Sequence, residues 1–190
     1  MPGHFFELDI DIDAPGRWYL REPADLDGKT VPDIWAFVSG KTVMDPGPLR
    51  VPLSRPGQPL DFDKTTVAGS PIVSGRIASV FRELAPNDVQ LFPVEVQGQA
   101  EPFYLLNVMR VIRCIDDVAC EEARIWTPAD GHPDKVGEYH VVSGLRIDTT
   151  RVGNAAVFRL WGYLLPIIVE GQLKDALEQA GIVGGQFVEV

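Results

Sequence analysis

One stretch limits what this chain can fold into. Residues 103–112 read Phe-Tyr-Leu-Leu-Asn-Val-Met-Arg-Val-Ile, so an extended backbone puts Tyr104, Leu106, Val108 and Ile112 on one face and Phe103, Leu105, Met109 and Val111 on the other. Side chains alternate between faces with a period of two, and a strand that is apolar on both faces needs cover on both. It therefore belongs at the centre of a sheet. The β-rich character continues to residue 115, which is the expected end of this strand.

The preceding residues supply its neighbours. Ile77, Val80, Phe81 and Leu84 fall at i, i+3, i+4 and i+7, the stripe of an amphipathic helix. Ser74 stands where a hydroxyl can cap the first turn, and Pro86-Asn87-Asp88 ends the helix because proline disfavours helical geometry in the residue before it. From Val89 to Val96 the period becomes that of a strand. The polar, glycine-containing turn at residues 97–101 then joins it to the central strand as a hairpin.

Near the N-terminus Leu8, Ile10 and Ile12 alternate with Asp9, Asp11 and Asp13, the pattern of a half-buried strand with a carboxylate face. The same letters open a calcium-binding loop, but Ala14 stands where that loop needs glycine and Leu20 where it needs a bidentate glutamate. The strand reading is the better one. Trp18-Tyr19-Leu20 and Ile34-Trp35-Ala36-Phe37-Val38 are expected to be further short strands. Residues 45–59 hold Pro46, Pro48, Pro52, Pro56 and Pro59, which exclude regular helix and central strand. They read as an extended connector between an N-terminal β-rich part, residues 1–44, and a core, residues 60–190.

Beyond the hairpin, Asp116, Asp117, Glu121 and Glu122 crowd a loop that is solvated or faces a partner. Residues 123–126 read as a short strand, residues 127–134 as a turn, and strands follow near residues 141–147 and 156–160. The C-terminal end repeats the earlier pattern. Residues 166–173 resemble residues 71–77 with one residue inserted, and Leu173, Ala176, Leu177 and Ala180 renew the helical stripe. Gly181 suits the position after that helix, and Phe187-Val188-Glu189-Val190 echoes residues 92–96. Two copies are too few for a solenoid; they suggest two helices packed on a shared sheet.

Composition narrows the function. Seventeen basic against 27 acidic residues leave a net charge of −10, which argues against direct binding of nucleic acid or an anionic membrane and suits a basic protein partner. No apolar run reaches the length of a bilayer span, and the first residues lack a signal-peptide pattern, so the expected location is the cytoplasm. Cys114 and Cys120 are the only cysteines, read as reduced core and loop residues. No nucleophile elbow, phosphate loop, dinucleotide fingerprint or zinc-protease motif is present. His4, His132 and His140 are the histidines. His132 and His140 could join Asp130 or Asp134 as ligands, a reading weaker than ordinary surface placement. Asn107 and Arg110 interrupt the apolar strand, where burial would force each to find a partner. No cofactor is indicated.

The segment from Ser70 to Val96, continued by residues 103–108, resembles a bacterial family first catalogued as a domain of unknown function. That family is now classed among the immunity proteins of polymorphic-toxin and contact-dependent competition systems. The resemblance rests on Pro71-Ile72-Val73-Ser74, on Val89-Gln90-Leu91-Phe92-Pro93-Val94 and on Tyr104-Leu105-Leu106-Asn107. It continues through Leu145-Arg146-Ile147-Asp148, Val157-Phe158-Arg159, Ile168-Val169 and Phe187, and spans about residues 60–190. It implies a protein that binds and blocks a cognate toxin in the cytoplasm, with no catalytic residues to carry over.

The expectation is one α+β domain over residues 1–190, with a mixed, largely antiparallel sheet and two main amphipathic helices. The partner is a cognate toxin, for which a basic nuclease would suit the acidic charge. Charge density nominates Asp9, Asp11, Asp13, Asp116, Asp117, Glu121 and Glu122 as contact groups. An enzyme using His132, His140 or Asn107, and a secretion-system adaptor, are the alternatives.

Overall fold

The computed structural model describes residues 3–190. Two five-stranded sheets carry the fold. In chain order the strands are β1 (Phe5–Ile10), β2 (Tyr19–Leu20), β3 (Leu49–Val51), β4 (Leu53–Arg55), β5 (Phe62–Lys64), β6 (Pro71–Ser74), β7 (Val89–Val96), β8 (Phe103–Val108), β9 (Val111–Ile112), β10 (Glu122–Ile125), β11 (Tyr139–Ser143), β12 (Val157–Leu160), β13 (Tyr163–Glu170) and β14 (Gly185–Glu189). The helices are α1 (Gly75–Leu84) and α2 (Gly171–Gln179). One sheet has the order β3-β7-β8-β6-β5 and the other β14-β1-β13-β12-β9; β2-β4 and β10-β11 are two-stranded ribbons. Most pairings are antiparallel, and β3-β7 and β9-β12 are parallel, so the fold is α+β with mixed sheets.

β8 is the middle strand of its sheet, and its two faces enter different cores. Leu106 and Val108 pack with Ile77, Phe81, Leu173 and Leu177 in a core shared by both helices. Phe103 and Leu105 pack with Trp18, Phe37, Leu49 and Ile72 in a second core. A third core gathers Cys114, Cys120, Phe158, Leu160 and Ile168 behind the other sheet. Both cysteines are free and buried, and burial pushes the Cys114 thiol up to about 12.

The expected single strand over residues 103–115 is divided. It leaves the first sheet after Val108, and Val111–Ile112 joins the second sheet beside β12. Periodicity does not register such a transfer, since both pieces are extended and apolar. Ala36–Val38 form a 3-10 helix where a strand was expected; Asp33 Oδ1 accepts the Trp35 N–H at 2.9 Å and starts the turn. Residues 45–59 are not a plain connector. They contain β3, an edge strand, which is where a proline-flanked segment can join a sheet. Ser74 precedes α1 but does not cap it: its hydroxyl donates to Asp61 Oδ1 at 2.7 Å. In α1 the buried residues are Ile77, Ala78 and Phe81, while Leu84 is 40% exposed.

The repeat is real in topology but runs across two sheets. β6 and β7 both lie antiparallel to β8, and β13 and β14 both lie antiparallel to β1. Each unit is thus strand–helix–strand with a third strand inserted between the first two. Ile72, Val73 and Gly75 correspond to Ile168, Val169 and Gly171 without the insertion suggested by the sequence. Gly75 N–H donates to Pro102 O at 2.8 Å and Gly171 N–H to His4 O at 2.9 Å, so β1 occupies in its unit the place of β8. The two helices share one core between the sheets. No described helix is long and apolar enough to cross a membrane.

Candidate functional site

The two acidic clusters lie on different parts of the molecule, and no hydrogen bond or ion pair joins them among the described residues. In the first, Asp9 lies on β1 and accepts from Lys64 Nζ at 2.6 Å. The strand ends at Ile10, so Asp11 and Asp13 do not extend its carboxylate face. They occupy a turn in which the Asp13 N–H donates to Asp11 Oδ1 at 3.0 Å, and this turn leaves Ile12 68% exposed. Glu7, one pleat back, is half-buried; burial and then the neighbouring Asp9 hold its carboxyl above the usual carboxylate range, against the pull of Lys64.

Ile12 borders a groove of about 400 Å³ lined also by Ile10, Tyr19, Val67 and Leu165. Ile12, Tyr19, Val67 and Leu165 are all exposed, and apolar side chains gathered in this way around a concavity are the usual core of a protein contact. Arg17 and Lys64 contribute basic groups to the same groove. Arg17 Nη2 donates to Asp63 Oδ1 at 2.6 Å, and its guanidinium lies 5.1 Å from the Tyr19 ring centre, with Arg55 at 5.6 Å. These cations hold the tyrosine in place. Sequence reasoning missed the groove because its residues come from four separate segments; the one available signal was an isoleucine between two aspartates.

The second cluster is largely engaged locally. Asp116 Oδ1 accepts the Val118 and Ala119 N–H groups at 3.1 Å each. Asp117 Oδ1 accepts the Tyr139 hydroxyl at 2.5 Å, and burial together with that carboxylate pushes the phenol pKa up. Glu122 pairs with Arg124 at 2.7 Å, and Glu121 is exposed against Gly144. At the tip of the loop Val118 is 95% exposed.

Of the residues of the enzymatic alternative, Asn107 lies in the core while His132 and His140 lie together at the surface. Asn107 is fully buried and donates to Lys41 O at 2.8 Å and Gln90 Oε1 at 2.9 Å, a bridge inside the fold. Arg110 sits in the break after β8, 41% exposed and 3.5 Å from Asp88. His132 and His140 are exposed and flank Trp126, with ring centres 4.8 Å and 3.7 Å away. His4 bonds Glu189 at 3.0 Å. Among the described residues no three His, Cys, Asp or Glu side chains form a metal-binding group.

A two-sheet α+β fold with an apolar groove beside surface carboxylates has the makings of a binding protein, and comparison with protein families gives the class: immunity proteins. The model of the immunity protein family Imm11 matches residues 4–190, and the chain belongs to that family. The match reaches beyond the resemblance over about residues 60–190 to take in residues 4–59, in keeping with β1 being an inner strand of the second sheet. A search of curated proteins finds no match.

Proposed function

We propose that this protein binds a cognate antibacterial toxin of a polymorphic-toxin system and neutralises it by direct contact in the cytoplasm, the whole chain acting as one immunity domain. The observation that carries this reading is membership of an immunity protein family over residues 4–190. The groove beside β1 is the first contact surface. Ile12 presents an apolar side chain between Asp11 and Asp13, with Asp9 alongside, so an apolar anchor flanked by basic side chains would fit there. Asp116, Asp117, Glu121 and Glu122 form a second acidic region that would steer a basic toxin, such as a nuclease, toward the complex.

Co-expression with the toxin encoded beside this gene tests the reading. Growth rescue with a co-purifying complex is the expected result. Rescue without a complex would replace binding by enzymatic reversal of the damage, and absence of both would remove the proposal. Charge reversal at Asp11 and Asp13 should slow association and reduce its salt dependence; unchanged binding after reversal in both acidic regions would remove them from the contact face.

A further inference from the structure

The two strand–helix–strand units can be compared position by position, and one polar site of the first is not rebuilt in the second. In the first unit Arg76, in the opening turn of α1, reaches the C-terminal end of α2. Its Nη1 donates to Ala180 O, and its Nη2 donates to Gly181 O at 3.3 Å and to Asp61 Oδ2 at 2.5 Å. Asp61 is held by the Ser74 hydroxyl at 2.7 Å and the Val183 N–H at 3.1 Å. The last carbonyls of a helix lack intrahelical donors and carry the negative end of its dipole, so a guanidinium satisfies them and is stabilised there.

The second unit retains the place and lacks the occupant. Gln172 stands where Arg76 stands, and Leu84 and Ala85 of α1 stand where Ala180 and Gly181 stand. Ala156 replaces Asp61: the Ser74 N–H donates to Asp61 O at 2.9 Å, and the Glu170 N–H donates to Ala156 O at 2.8 Å. Arginine and aspartate are therefore both missing, and a cavity of about 520 Å³ remains, lined by Leu84, Ala156, Glu170 and Gln172 with Asn154 and Thr149. Its acid stands on the neighbouring segment, at the position hydrogen-bonded to Ala156. Glu170 takes the place of Ser74, and its carboxylate makes no capping bond to α2 and no ion pair among the described residues. Arg110 reaches Asn154 Oδ1 at 3.5 Å but is also held by Asp88.

We infer that this cavity receives an arginine side chain of the toxin, its guanidinium set between Glu170 and the C-terminal turn of α1 as Arg76 is set between Asp61 and α2. The inference rests on the toxin-binding reading above and adds a second contact, separate from the groove beside β1. A net charge of −10 favours a basic partner, and a guanidinium presents five donors in a rigid planar fork, so one edge can meet the carboxylate while the other reaches the carbonyls.

Two variants test it. Glu170→Gln removes the carboxylate, and the double variant Ala156→Asp/Gln172→Arg rebuilds the internal ion pair and fills the cavity with the chain's own guanidinium. Agmatine, an aliphatic guanidinium, serves as probe in a titration followed by amide NMR. Saturable shifts at Leu84, Glu170 and Gln172 in the parent protein, absent from the folded double variant, are expected; no shifts, or equal shifts in both proteins, would overturn the cavity assignment. With the toxin, each variant should bind at least about 30-fold more weakly, the lower end of the cost of truncating a buried interfacial charge pair. Full toxin affinity in both variants would overturn the inference and leave toxin binding intact. A parent protein that binds no toxin would sink the functional reading, and the agmatine titration would still decide whether the cavity takes a guanidinium.

Discussion

Arg17 and Asp63 meet at 2.6 Å with both side chains withdrawn from water, that of Arg17 9% exposed and that of Asp63 0%. Asp63 lies on β5 and Arg17 just before β2, so the pair ties the N-terminal segment to the first sheet. Removing one partner leaves the other charge buried and uncompensated. Asp63→Ala should cost about 3–5 kcal/mol of unfolding free energy, whereas Arg17→Met/Asp63→Leu, which removes both charges, should cost much less. Urea denaturation of the single and double variants measures the difference.

The burial of Glu7 predicts the sign of one pH dependence of stability. Its carboxyl holds a proton to higher pH in the folded chain than in the unfolded one, because of burial and then Asp9. Below the ordinary carboxylate range both states are protonated and the stabilising contribution is complete. As pH rises through the raised folded value that contribution is lost, since the unfolded chain ionises more readily. Glu7→Gln should therefore flatten this part of the stability–pH curve and be more stable than the parent at neutral pH. Melting curves across the acid range read the outcome.

Ile12 separates binding from folding. With 68% of its surface exposed, Ile12→Ser should change stability by less than about 0.5 kcal/mol. At the centre of a docked groove the same change should weaken toxin binding by about tenfold or more, equivalent to about 1.4 kcal/mol. Calorimetric titration of the toxin into parent and variant distinguishes an anchor from an ordinary surface isoleucine.

The position of β1 predicts a tolerated rearrangement. The Val190 N–H donates to Phe5 O at 3.1 Å, which brings the end of the chain next to the start of β1. A circular permutant that joins residue 190 to the N-terminal segment by a short linker and opens at Gly98 would have β1 follow β14 as β8 follows β7. It should fold cooperatively and retain toxin binding. A permutant that stays unfolded would show that the β7–β8 turn is needed to form the first sheet.

Much of the local structure was legible because it depends on neighbours in sequence. The helix ending before Pro86, the β7–β8 hairpin, the two-faced β8 and Gly181 after α2 all follow from periodicity and backbone preference. Gly181 has the expected left-handed φ of +68° and donates to Glu178 O at 2.8 Å. The errors arose where distant residues decided the outcome. Ser74 has the right side chain for a cap, but Asp61 takes its hydroxyl. Ile12 continues an alternating pattern that the chain abandons after Ile10.

The acidic residues make the same point about function. Charge density nominated seven carboxylates, but density does not reveal which are engaged. Asp9 is engaged by Lys64, Asp117 by Tyr139 and Glu122 by Arg124. Glu170, which charge density passed over, lines a cavity and has no ion pair among the described residues.

By itself the sequence determined the α+β class, the places of both helices, the central strand and the recurrence of one strand–helix–strand pattern. Hydrophobic period and turn chemistry act over a few residues and are written in order along the chain. Only the tertiary structure decided that the pattern builds two sheets, that β1 completes the second, and that Ile12, Tyr19, Val67 and Leu165 share a groove. Those outcomes depend on which apolar faces bury one another and which strands find each other across more than 150 residues, as β1 and β13 do. Such pairing is selected by the packing of the whole molecule, and no local stretch encodes it.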